Sequence, residues 1–174
     1  MEDEVVGNGT IAESNNVHVV NELDIPILAM GLENVVVAAS PDGILVSSEA
    51  KADKIKPYVD AIDQQIMYAE KSWGNYQVID VEESSISVKV TLNPSHKMNY
   101  HSHERRDEIW NIISGSGKAI IEGVEQFVGP GDVIRMQAGQ KHTIVAGDKG
   151  LQLIEVQLGK DISVTDKKKY EDPK

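Results

Sequence analysis

The chain has 174 residues, 40% hydrophobic and 26% charged, enough for one domain of ordinary size with a modest appendage but not for two full catalytic domains. It has no cysteine, which excludes a disulfide framework and a thiolate metal site, and no apolar run approaches the roughly 18 residues of a membrane span. The net charge of -11 arises in residues 1–92, with 5 basic and 16 acidic side chains, and no basic stripe is interleaved with aromatics, so nucleic acid is excluded as a partner.

At the start, Met1-Glu2-Asp3-Glu4 lacks the basic and apolar regions of a signal peptide, and a cytoplasmic protein is expected. Short runs follow in residues 1–48: Val17–Val20, Ile25–Ala29, Val35–Ala39 and Ile44–Ser47, divided by Asn, Gly and Pro41-Asp42-Gly43. β-Branched runs between turn formers predict a short β-rich segment. From Glu49 the period changes. Ile55, Val59, Ile62, Ile66 and Ala69 recur at steps of four and three, which predicts a linking helix in 49–72, continuous from Lys56 to Lys71. Pro57 donates no backbone N–H and is therefore placed near the helix start. The apolar stripe would pack on a neighbouring element or on a second copy of the helix.

From Gly74 to Gly159 the expectation is all-β. Predicted strands are Tyr76–Val81, Ile86–Leu92, Lys97–His101, Glu108–Ile113, Lys118–Glu122, Gln126–Val128, Asp132–Met136, Lys141–Ala146 and Leu151–Leu158. Ser114-Gly115-Ser116-Gly117, Glu122-Gly123, Gly129-Pro130-Gly131-Asp132 and Gly147-Asp148-Lys149-Gly150 supply turn chemistry between them. Short strands at this spacing predict a sandwich or barrel in 73–160. The tail, 161–174, carries Lys167-Lys168-Lys169 and reads as a solvated end.

Three histidines and one carboxylate form a pattern: His101-Ser102-His103, then Glu108, then His142 beyond Gly131-Asp132. Residues two apart on a strand share a face, so His101 and His103 can both face a barrel interior, and Glu108 lies on the face of Trp110 and Ile112. Three imidazoles and a carboxylate suit a divalent Zn, Mn, Fe, Co or Ni ion, whereas calcium would want more oxygens. The plainer alternative is a set of histidines satisfied by hydrogen bonds. His96 and His18 stand outside the pattern.

Tyr100-His101-Ser102-His103-Glu104-Arg105-Arg106-Asp107-Glu108, with Gly115 beyond it, resembles the first motif of the cupins, and Gly131-Asp132 through Gly139 to His142 resembles the second. Gln137 stands where proline is usual and Ala146 where asparagine is common. The resemblance spans about 73–159 and implies a mainly β fold: a cupin jelly-roll barrel preceded by the linking helix and the N-terminal β segment.

Lys71-Ser72-Trp73-Gly74, Arg106-Asp107-Glu108-Ile109-Trp110 with Ser114-Gly115, and Ile154-Glu155-Val156-Gln157-Leu158-Gly159 are similar to the C-terminal domain of the bifunctional mannose-1-phosphate guanylyltransferase and type II mannose-6-phosphate isomerase family. Residues 17–48 resemble the closing strands of its nucleotidyltransferase domain, whose glycine-rich signature is absent. Many members have two residues between the second histidine and the glutamate, where this chain has four. Arginines common near the family's C-terminus are replaced here by Lys167 to Lys169.

The resemblance implies a truncated member, with 1–48 as the remnant of a transferase domain, acting on a sugar phosphate through a divalent metal on His101, His103, Glu108 and His142. Aldose–ketose conversion needs a polarised carbonyl, a base and a phosphate grip. Glu155 is the base candidate, or else a carboxylate that orients a metal-bound histidine. Gln157 shares its strand face and is a substrate-binding candidate, with Arg106, Arg135, Lys97 and Lys141 as cations for the phosphate. Two other functions compete: a non-catalytic cupin that oligomerises or regulates a guanylyltransferase, and a metal-dependent oxygenase. Exposed sheet edges make a homodimer an expected assembly, and a nucleotidyltransferase domain is a further candidate partner.

Overall fold

A computed structural model of the chain describes residues 3–163 and 166–173; Met1 and Glu2 of the acidic start, and Val164, Thr165 and Lys174 of the tail, lie outside the described residues. The chain divides into two compact units, 1–67 and 68–174.

The first unit contains β1 (Glu4–Gly7), β2 (Gly9–Ala12), β3 (Asn15–Asn21), β4 (Ile27–Met30), β5 (Glu33–Ser40) and β6 (Gly43–Ser48). β1, β3 and β5 pair in parallel, β2 and β4 likewise in a second sheet, and β6 closes on β5 as an antiparallel hairpin. The chain thus winds in coils, passing from one sheet to the other and back. Val17, Val19, Ala29 and Val37 make the core between them, with Ile11, Ile27, Leu32 and Val35 packed around it. At the corner, the buried Asn21 amide donates to the carbonyls of Asn8 and Ile25 and accepts from the Leu23 N–H, satisfying groups that the turn leaves unpaired. β-Branched residues were expected to make strands here; β1, β2 and the parallel winding carry no periodic signal of their own.

The linking helix is not formed as predicted. Residues Glu49–Lys54 make a 3-10 helix and α1 spans only Lys56–Val59, followed by turns, while Tyr68–Lys71 is the strand β7. Ile62 and Ile66 are 61% and 62% exposed, so the helical stripe has no surface to pack on. A short helix without tertiary packing does not offset its nucleation. Residues Tyr68–Lys71 instead gain a ladder from Tyr68↔Gln77 to Lys71↔Gly74.

The second unit continues with β8 (Gly74–Glu82), β9 (Ser85–Leu92), β10 (His101–Ser102), β11 (Arg106–Ile121), β12 (Val124–Val128), β13 (Val133–Met136), β14 (His142–Gly159) and β15 (Lys168–Lys169). One curled sheet runs β12-β11-β14-β9-β8-β7, with β13 on β11, β10 on β14 and β15 on β10. Two pairs of predicted strands are each one long strand. β11 and β14 pair from Arg106↔Gly159 to Ile121↔His142, with register shifts between Ile112 and Ser114 and between Gly115 and Gly117. The glycines of 114–117 and 147–150, read as turns, therefore mark bends, because an irregular register kinks a strand without ending it, whereas Glu122-Gly123 and Pro130-Gly131 are turns as expected. Gly115 has φ +75°, and a Cβ there would run into the Gly150 carbonyl. The predicted Lys97–His101 strand reduces to a bridge, Lys97↔Val145, followed by β10.

The curl buries Val88, Val90, Leu92, Trp110, Ile112, Met136, Leu151 and Leu153. The tail is not a solvated end: β15 pairs antiparallel with β10, at His101↔Lys169 and Ser102↔Lys168.

Candidate metal centre

The sheet register brings the motif residues together. β10 opposes the start of β14 at His101↔His142, His103 follows β10, and Glu108 stands on β11 one inward step from Trp110. None of the four is more than 3% exposed, and their ligand atoms all lie within 4.8 Å of one another. His103 Nε2 is 3.0 Å from Glu108 Oε1 and His142 Nε2 is 3.2 Å from Glu108 Oε2. The latter two atoms are near yet misaligned, and neither has a hydrogen-bond partner among the described residues. Buried polar atoms left unpaired destabilise a fold; two that converge on common space suit an ion between them.

The protonation states fit the same reading. Burial, followed by the charges of Lys167 and His142, lowers the His101 pKa to about 3, which keeps the ring neutral. Burial alone would raise Glu108, but the His103 and His142 rings and the Arg106 guanidinium outweigh it and hold the carboxylate well below its ordinary range. A neutral imidazole and an ionised carboxylate are the ligand forms a metal requires. The donor set could hold a borderline divalent ion such as Zn, Mn, Fe, Co or Ni.

The other candidates separate into two groups. Arg106, Glu155 and Gln157 are at the cluster. Arg106 Nε donates to Glu108 Oε1 at 2.9 Å, and its Nη2 lies 3.1 Å from His103 Nε2. Glu155 faces Trp110 across the β11–β14 ladder and accepts from Trp110 Nε1 at 3.2 Å and Gln157 Nε2 at 2.6 Å. Burial and the Glu108 charge raise the Glu155 pKa. Arg135, Lys97 and Lys141 are engaged away from the cluster. Arg135 is 3.3 Å from Asp107, with its side chain 64% exposed; Lys97 pairs with Asp172; Lys141 lies 4.5 Å from the Tyr170 ring centroid.

The tail adds residues that local patterning did not single out. His103 Nδ1 bonds the Asp166 carbonyl, the Asp166 carboxylate accepts from the Glu104 and Arg105 N–H groups, and Tyr170 meets Ser102 through their hydroxyls. Lys167 keeps an exposed surface, but desolvation, opposed by the charges of Glu155 and Glu108, lowers its pKa. These partners lie some sixty residues from the motif they serve, and β15, which lies between them in the chain, pairs with β10.

A model of the family described as mannose-6-phosphate isomerase, C-terminal, matches residues 60–172. A putative mannose-1-phosphate guanylyltransferase of Vibrio cholerae is 27% identical over 84% of this chain and 33% of its own length. A mannose-1-phosphate guanylyltransferase of Salmonella typhimurium is 25% identical over 84% of this chain and 32% of its own. The chain thus spans about a third of the length of the curated relatives it matches. An uncharacterised Klebsiella pneumoniae protein with a double-stranded β-helix domain superposes with a TM-score of 0.50 at 19% identity, over 55% of this chain and 83% of that one. The curled sheet is accordingly of the cupin type. Among the described residues, no helix is long and apolar enough to cross a membrane.

Proposed function

Because this chain belongs to the mannose-6-phosphate isomerase C-terminal family, we propose that it interconverts mannose 6-phosphate and fructose 6-phosphate with a divalent metal, in the supply of GDP-mannose for polysaccharide synthesis. The observation that carries this reading is the buried group of His101, His103, Glu108 and His142, two of whose polar atoms have no hydrogen-bond partner among the described residues, with Glu155 beside it. A bound ion would supply Lewis-acid polarisation of the substrate carbonyl oxygen.

The chain's own residues supply the remainder. Glu155, raised in basicity by burial, is assigned to take the proton from one carbon and return it to the neighbouring one, and a base of raised pKa suits work near neutral pH. Trp110 and Gln157 aim its two oxygens. Arg106 is the proposed phosphate cation whose side chain reaches the cluster, with Lys167 as a second positive charge near Glu155. Arg135, Lys97 and Lys141 would need to leave their present partners to contribute. A cytoplasmic homodimer, working beside a nucleotidyltransferase domain, is the proposed setting; light scattering on the purified chain tests the dimer.

The test is a coupled assay for fructose 6-phosphate on metal-stripped protein reconstituted with single divalent ions. Metal-dependent turnover that disappears in His103→Ala is expected. Stoichiometric ion binding with no turnover would overturn the isomerase reading and leave a cupin that serves a guanylyltransferase without chemistry of its own.

A further inference from the structure

The three histidines are not braced alike. His101 Nδ1 and His142 Nδ1 bond carbonyls two residues back along their own chain, Asn99 at 2.6 Å and Gln140 at 2.9 Å. His103 has no such local brace; its Nδ1 meets the carbonyl of Asp166, 63 residues away. A carbonyl only accepts, so in each case Nδ1 carries the proton and Nε2 is left for the cluster. The tautomer and orientation of two histidines are therefore set by the barrel itself, and those of the third by the tail.

The Asp166 carbonyl is held in place by polar contacts on one side and, on the other, by β15 and Tyr170, whose ring also packs edge-on against Tyr100 with centroids 6.2 Å apart. The Asp166 carboxylate caps the Glu104 N–H at 2.9 Å and the Arg105 N–H at 3.0 Å, the two residues that follow His103. On the other side, β15 adds two register pairs to β10, the Tyr170 N–H donates to the Tyr100 carbonyl at 2.8 Å, and the Tyr170 and Ser102 hydroxyls are 3.0 Å apart. Lys167, Lys168 and Lys169 between these anchors are exposed, and a segment so held belongs to the part of a fold that opens most easily.

We infer that the segment from Asp166 to Tyr170 is a working part of the metal centre, with Asp166 as a positioning residue for His103, so that ion binding and docking of the tail are thermodynamically linked. The inference rests on the metal-binding reading above. Linkage is reciprocal: the factor by which docking strengthens ion binding is the factor by which the ion stabilises docking. Partners that orient a metal-bound histidine typically change affinity 10- to 100-fold when removed.

The experiment uses the full chain and cobalt(II), in two arms. In the first, cobalt affinity is measured by competition with a chelator for the wild type, Asp166→Ala and Asp166→Asn, alongside the cobalt d–d spectrum and the 15N shifts of the His103 ring. Asp166→Ala is expected to bind about 10- to 100-fold more weakly, with a changed spectrum and loss of the Nδ1–H tautomer at His103. Asp166→Asn, which keeps an acceptor for one amide, should recover part of the affinity. In the second arm, trypsin cleavage at Lys167–Lys169 in the wild type is timed with and without saturating cobalt, and the ion is expected to slow it about tenfold or more. Equal cleavage rates with and without the ion would overturn the inference whatever the variants do, as would unchanged affinity in a variant whose tail is cut faster. A wild type that binds no cobalt would overturn the metal reading itself, and this inference with it.

Discussion

The two units solve the problem of an interior differently. The first packs Val17, Val19, Ala29 and Val37 between parallel coils, and its buried polar groups, Asn16 and Asn21, are tied to neighbours by their amides. The second encloses His101, His103, His142, Glu108, Glu155, Arg106 and Gln157 among aliphatic residues and Trp110. A coil of short strands leaves room for little beyond valine and alanine, whereas a curled sheet of long strands encloses space that side chains from several strands share. Burying ionisable groups is unfavourable unless they are paired. Among the described residues, two atoms of the second interior lack a hydrogen-bond partner and the first unit shows none of this kind, so the second holds a deficit a ligand can relieve.

The contrast can be attacked by stability measurements that report on each unit separately, such as hydrogen exchange resolved by peptide. Trp110 is fully buried, and Trp110→Ala should destabilise residues 68–174 by about 3–5 kcal/mol while leaving exchange in 1–67 unchanged. Equal loss in both units would mean that they unfold together. A divalent ion at a hundredfold excess over its Kd should stabilise the second unit alone by about 2.7 kcal/mol, and a chelator should reverse the gain. Stabilisation of residues 1–67 would place the ion elsewhere. Val19→Ala should cost about 2 kcal/mol, confined to the first unit, because two buried methyl-sized groups are lost from a small core.

The smallest expected effect sharpens the picture of the second interior. Burial raises the pKa of Glu155, so the folded metal-free protein holds that proton more tightly than the unfolded chain. Its contribution to stability is present below the ordinary glutamate pKa and is lost as pH rises through the folded-state value. Glu155→Gln has no such loss. In urea titrations without metal, the variant should gain on the wild type as pH rises from about 4 towards neutrality. A constant difference across that range would show that Glu155 titrates alike in the folded and unfolded chains.

Much of this molecule was legible locally. The two-residue spacing of Glu108 and Trp110 places both on one face of β11, His101 and His103 both reach the buried cluster although only His101 lies on a strand, and the β-branched runs mark most strands. The glycines misled in one respect: at Gly115 and Gly150 they permit close approach of two bent strands, and a turn and a bend share the same residue preference. The Ile55-to-Ala69 stripe misled in another, because helical spacing states which residues could share a face but not whether a surface exists to receive them. Asp166 and Tyr170 were beyond local reading, since their value depends on a strand pairing with a distant one.

The long strand β14 has a consequence in time. It is the shared neighbour of β9, β10 and β11, and its pairings join Leu92 to Leu151, His101 to His142 and Arg106 to Gly159. Such distant closures must be made before they are rewarded, and sheets dominated by them fold in milliseconds to seconds. Until β14 arrives, β9 and the early part of β11 have unpaired edges and their apolar faces are open. The barrel is therefore expected to be the slow-folding, aggregation-exposed half of the chain, and crowded synthesis conditions should penalise it first.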